Sequence, residues 1–105
     1  MLPGRLALVT VAVLATVSVP ARAATIRVTI DKLAFSPASV SAKVGDSVEW
    51  VNKDALAHTA TARNGDFDVA LPPSKTVSTV LKKAGTVEYY CRFHPNMKAT
   101  LTIAP

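Results

Sequence analysis

Several short stretches of this chain alternate apolar and polar residues with a period of two, and that rhythm limits the fold more than any other feature. In TIRVTI, Ile26, Val28 and Ile30 share one face while Arg27 and Thr29 take the other. SVEWV places Val48 and Trp50 inward and Glu49 outward, and KATLTI repeats the pattern with Ala99, Leu101 and Ile103. TVEYYC sets Val87, Tyr89 and Cys91 against Glu88 and Tyr90. Alternation of this kind belongs to strands with one buried face. TVSTVL is also rich in β-branched residues, but its inward face is ambiguous. Gly45-Asp46, Asn64-Gly65, Pro72-Pro73 and Ala84-Gly85 supply turn chemistry between the runs. After residue 23 no segment has a convincing helical period, an internal repeat or a low-complexity linker. The pattern predicts an all-β protein, a β-sandwich of short strands.

The first 23 residues follow a different logic. Arg5 precedes an apolar run from Leu6 to Val19, which leads into Pro20 and the small-residue pattern Ala21-Arg22-Ala23. That order marks a secretory signal peptide cleaved after Ala23. The rival is a membrane anchor, but fourteen helical residues reach roughly 21 Å against a hydrocarbon core of roughly 30 Å. The expected organisation is a cleaved signal peptide over 1–23 and one exported domain over 24–105, most simply in a periplasm.

Cleavage would remove Arg5 and Arg22, leaving 10 basic and 7 acidic residues and a net charge of +3. The basic residues are spread from Arg27 to Lys98 without a block. This describes a solvated surface rather than a nucleic-acid interface. The 82 residues that remain contain a single Cys, so no internal disulfide can staple so small a core. A bound metal would add useful stability to a domain of this size.

Beyond residue 23, every His, Cys and Met falls into one arrangement: His58, then Cys91-x-x-His94-x-x-Met97. Taken singly, each has a dull explanation, because Cys and Met commonly fill cores. Together they read as a metal site. The TVEYYC strand would deliver Cys91 at its end, and a tightly curled loop holding Pro95 would aim His94 and Met97 at the same spot. His58 follows the SVEWVN strand and the short KDALA connection, so it would join them where strand ends meet at one pole. Two imidazoles, one thiolate and a weak thioether suit one mononuclear type 1 copper ion. A Met sulfur is a poor choice for zinc, and one Cys is too few for an iron–sulfur cluster.

These residues carry a resemblance to the cupredoxins, the small type 1 copper proteins, and within them to the amicyanin and plastocyanin-like group. FSPASVSAKVGDSVEWVNKDALAHT is similar to the family's first half, through Phe35, Pro37, Val44-Gly45-Asp46, Val48, Trp50, Asn52 and His58. AGTVEYYCRFHPNM is similar to its second half, with Cys91, His94 and Met97 at ligand positions. The resemblance implies a Greek-key sandwich, copper held by His58, Cys91, His94 and Met97, and one-electron transfer rather than enzymatic catalysis. It also implies redox partners such as a c-type cytochrome or a periplasmic dehydrogenase. They would dock on an apolar patch at Phe93, His94 and Pro95, with Leu56 and Ala57 beside it, on a monomeric protein. Tyr90 resembles the family's second, remote electron route.

Two positions depart from the amicyanin pattern. Phe93 stands where Pro is usual before the second His, and Thr59 where Asn is usual after the first. Thr59 keeps the backbone N–H that the family aims at the thiolate and offers a hydroxyl, so a weaker tie between the ligand loops is expected. AHTATA is also smaller and more polar than expected near such a site. Copper storage or delivery, and a metal-free sandwich used for binding, are the alternatives. Both His are already spent, which leaves no ligands for the extra copper centres of an oxidase.

Overall fold

The computed structural model describes Gly4, residues 9–13 and residues 22–105. Most of the expected signal peptide lies outside the described residues. Among those described there are nine strands and no helix. They are β1 (Thr25–Asp31), β2 (Ala34–Ser36), β3 (Ser39–Lys43), β4 (Ser47–Asn52), β5 (His58–Ala62), β6 (Asp68–Leu71), β7 (Thr76–Val80), β8 (Gly85–Tyr90) and β9 (Lys98–Ala104). One sheet has the order β2-β1-β4-β7 and the other β3-β9-β8-β5-β6. The chain crosses between them repeatedly, giving a Greek-key sandwich.

Alternation decides which side chains meet between the sheets. Val28 and Ile30 of β1, Val48 and Trp50 of β4, Val87 and Tyr89 of β8 and Leu101 and Ile103 of β9 are all buried, while Ile26 packs at the margin. In β7 it is Val77 that packs against the core, while Val80 stays exposed, which resolves the ambiguous TVSTVL run. The sheets are joined through aromatic rings at edge-on angles, the favourable arrangement for their quadrupoles. Phe35 lies 4.9 Å from Tyr89 and Trp50 lies 5.2 Å from Tyr89, centre to centre. Burial pushes the Tyr89 phenol far above its ordinary range.

Two parallel pairings fix the frame of the sandwich. β1 lies beside β4 with Thr25 opposite Ser47 and Ile30 opposite Asn52. β3 lies beside β9 with Val40 opposite Leu101. β8 and β9 pair antiparallel from Gly85–Ile103 to Tyr90–Lys98, so the segment between them closes a loop over one end of the sandwich. β5 pairs with both β6 and β8, which sets His58 at the same end. Gly45 and Gly65 take positive φ angles of 94° and 82° in the turns before β4 and β6, a backbone that glycine adopts without a Cβ penalty.

Candidate metal centre

The loop from Cys91 to Met97 explains its own spacing. His94 N–H donates to Cys91 O at 3.2 Å, and Met97 N–H donates to His94 O at 2.8 Å. These are two consecutive turns of the i to i+3 kind, so the three-residue interval is the interval of the turn. Cys91 N–H then donates to Met97 O at 3.0 Å and closes the loop at its base. The curl replaces the extended chain that would have carried the side chains apart.

That curl, with β5, brings His58, Cys91 and His94 together. One ligand atom from each lies within 4.8 Å of the other two. Cys91 Sγ is 3.7 Å from His58 Nδ1 and 3.6 Å from His94 Nδ1. A metal with bonds of about 2.0–2.1 Å to nitrogen and about 2.3 Å to sulfur separates N from S by about 3.6 Å at tetrahedral angles and about 3.8 Å at trigonal ones. The donor atoms are therefore spaced for a shared ion. Cys91 and His58 are fully buried, His94 is half-buried, and Met97 is buried in the same loop. His58 is the first residue of β5 rather than a loop residue, so its backbone is fixed by sheet pairing with Leu71.

Groups around the donors prepare them for metal. His58 Nε2 lies 2.8 Å from Asp54 Oδ2. An ionised carboxylate only accepts, so neutral His58 carries its proton on Nε2 and presents the Nδ1 lone pair to Cys91 and His94. Asp54 is held in turn by the N–H groups of Lys32 at 2.7 Å and Leu33 at 3.1 Å. The Leu33 and Lys32 amides, with His58, hold its carboxyl below the usual carboxylate range against the opposing effect of burial. Thr59 N–H donates to Cys91 Sγ at 3.3 Å, which ties β5 to the Cys91 loop.

The departure at Thr59 turns out to preserve the tie between the ligand segments. Its hydroxyl accepts the Arg92 N–H at 2.9 Å. Thr61 donates its own hydroxyl to Asp68 at 2.7 Å, which leaves its oxygen to accept from Thr59 at 2.9 Å. Arg92 Nε returns to the same Asp68 oxygen at 3.3 Å. Thus the small, polar AHTATA segment is polar for a reason: alternate threonines relay hydrogen bonds from the Cys91 loop to a carboxylate at the edge of the sheet.

Asn52, at the end of β4, secures the other side. Its side-chain N–H groups face Leu56 O, Leu71 O and Pro72 O at 2.9, 3.0 and 3.2 Å, and its Oδ1 accepts the Asp54 N–H at 3.0 Å. The sequence reading passed over Asp54, Thr61 and Asp68. The signal for Asp54 was available, since a carboxylate four residues before a ligand His is an outer partner waiting to be assigned. Around His94, the chain exposes Phe93 at 58%, Leu56 at 53% and Leu33 at 47%. Leu33, Phe93, His94 and Pro95 line one surface hollow with Met97. Tyr90 is half-buried beneath the Arg63 guanidinium, which lies 4.4 Å from its ring centre.

Two imidazole nitrogens and a cysteine sulfur gathered in one cluster fit a type 1 copper site. Comparison with known proteins agrees. The cupredoxin-like domain family matches residues 4–103. The methylamine utilization protein MauL of Methylorubrum extorquens is 33% identical over 83% of this chain and 80% of its own length. Amicyanin-alpha of the same organism is 33% identical over 79% of this chain and 75% of that protein. The solved structure of an oxidised amicyanin with a methionine-to-leucine replacement gives a TM-score of 0.68 at 26% identity, covering 74% of this chain and 80% of that one.

Proposed function

This chain belongs to the cupredoxin-like family, and from that premise we propose that it is an exported blue copper protein that carries single electrons between redox partners. The observation that carries the proposal is the convergence of His58 Nδ1, Cys91 Sγ and His94 Nδ1, with the Thr59 N–H directed at the sulfur. His58, Cys91 and His94 would hold copper, with Met97 as the weak fourth ligand. When bound, copper supplies the one-electron couple. The residues of the chain do the rest. Asp54 fixes the His58 ring, the two turns fix Cys91 and His94, and the relay from Thr59 keeps both segments in register, so little has to move as charge changes.

His94 is the ligand at the surface, and the exposed side chains of Leu33, Leu56, Phe93 and Pro95 around it form the contact face proposed for partners. A c-type cytochrome or a periplasmic dehydrogenase would meet the protein there. An apolar face suits short-lived encounters, because it brings two sites close with few polar groups to desolvate. Burial of Cys91 and His58 argues against copper storage and delivery, which needs ligands open to exchange.

The test is a titration of the metal-free protein with Cu(II), followed by visible absorption, beside Cys91→Ala. The expected result is an intense thiolate-to-copper band that saturates at one copper, bleaches with reductant and is absent in the variant. A colourless one-to-one complex would reject electron carriage. For the contact face, Phe93→Glu is expected to slow electron exchange with an apolar-faced partner by about tenfold or more while leaving the absorption band in place. An unchanged rate would move the face elsewhere.

A further inference from the structure

At the pole away from the metal cluster, a buried carboxylate is held by backbone amides rather than by an ion pair. Asp46 is 7% exposed. Its Oδ1 accepts the Ala24 N–H at 2.8 Å and its Oδ2 accepts the Lys43 N–H at 2.9 Å. Lys43 ends β3 in one sheet and Ala24 precedes β1 in the other, so the carboxylate bridges the sandwich. Its own backbone is locked there too, with Leu81 N–H donating to Asp46 O at 2.8 Å. Among the described residues, no ion pair includes Asp46. The amides of Ala24 and Lys43 nevertheless hold its carboxyl below the usual range, so it is ionised at neutral pH. A charge withdrawn from water is best stabilised by a partner of opposite sign.

The Ala24 nitrogen is the atom placed to become that partner. Ala24 O accepts the Ser47 N–H at 3.0 Å, and β1 begins at the next residue. Arg22 and Ala23 are exposed and belong to no strand. Sheet-type hydrogen bonding therefore begins at Ala24, the residue that cleavage after Ala-x-Ala would leave first. All nine strands lie after it.

We propose that Asp46 is a receptor for the α-ammonium group of Ala24, created when a processing protease cuts between Ala23 and Ala24. Water breaks the Ala23–Ala24 C–N bond, its oxygen forming a carboxylate on Ala23 and its two hydrogens completing an ammonium on Ala24, so no proton is gained or lost overall. A neutral amide hydrogen bond thereby becomes an ion pair at the same position. The inference rests on the export reading above. It makes maturation a stabilising event for the pole opposite the copper ligands.

The pH signature follows from linkage. The folded-state α-amino pKa is raised, so its contribution is complete below the ordinary value of about 7.7–8.0 and disappears as pH rises through the folded value. Asp46 sets the acid limit, because its lowered pKa means that its share is lost as pH falls below the normal carboxylate range. The other charged groups lining this hollow are Lys43 on β3 and, before cleavage, Arg22.

The experiment expresses the full chain, isolates the exported product and determines its first residue by mass. Ala24 is expected. The α-amino group is then titrated by NMR, with an expected pKa about one unit above normal that returns to normal in Asp46→Asn. Should that variant fail to fold, selective α-acetylation of the wild-type product keeps the N–H and removes only the charge. It is expected to lower Tm at pH 6 and to have no effect near pH 11. A different first residue, an unshifted α-amino pKa, or equal Tm with and without acetylation at pH 6 overturns the proposal and leaves the export reading intact. A chain that keeps its leader and stays inside the cell overturns both.

Discussion

At the scale of the residue, Thr59 shows how a departure from a family pattern can conserve a function by another route. A threonine has no side-chain amide, yet one hydroxyl both accepts from Arg92 and donates to Thr61. Because Thr59 is buried, removing that hydroxyl strands the Arg92 N–H. Thr59→Val, close in volume, is expected to destabilise the protein by about 1–3 kcal/mol, read from urea unfolding. The metal-free form is the cleaner measurement, since it separates the hydrogen bond from the ligand. In the copper form the same change is expected to weaken copper binding by roughly 10–100-fold. Thr59→Ser keeps both hydrogen bonds and should restore most of the loss. Equal losses in both variants would show that the methyl group, not the hydroxyl, holds the segments together.

At the scale of the element, the connection from β4 to β5 carries the most organisation per residue. Asn52 answers three carbonyls and one amide with a single side chain, and Asp54 couples His58 to the turn at Lys32 and Leu33. Asn52→Ala abandons several buried backbone groups at once, so it is expected to lower stability by about 3 kcal/mol or more, measured by denaturant unfolding. A loss under about 1 kcal/mol would mean that water fills the gap. This segment also marks the limit of what alternation can reveal. β1, β4, β8 and β9 were legible because large apolar residues recur at every second position. β5 was not, because His58-Thr59-Ala60-Thr61-Ala62 is buried on both faces by small residues and has no amphipathic rhythm. β2 spans three residues and β6 four, too short for a period to register. The cluster of His58, Cys91 and His94 was legible because, with Met97, these residues are every His, Cys and Met beyond residue 23. Asp68 was not, because in isolation it looks like an ordinary surface acid, and Asp54 becomes legible only through its spacing of four residues from His58.

At the scale of the whole molecule, the core and the metal site are separable sources of stability. Val28, Ile30, Val48, Trp50, Tyr89 and Leu101 are fully buried and are not among the proposed copper ligands. The metal-free protein is therefore expected to fold, with the donor atoms already gathered by the two turns and by β5. Copper would then bind a site that the unfolded chain lacks, since His58 and Cys91 meet only through the pairing of β5 with β8. Ligand that binds only the folded state adds about 4 kcal/mol at a thousandfold excess over its dissociation constant. For a domain of this size each kcal/mol moves Tm by about 4–8 °C, so copper is expected to raise Tm by roughly 15–30 °C. Calorimetry with and without one equivalent of Cu(II) measures this directly. Cys91→Ala should fold and show only a small part of that shift, because it keeps the two imidazoles and loses the thiolate. A full shift in that variant would place the stabilising copper elsewhere, whereas an unfolded metal-free protein would mean that the ion organises the pole instead of occupying one already built.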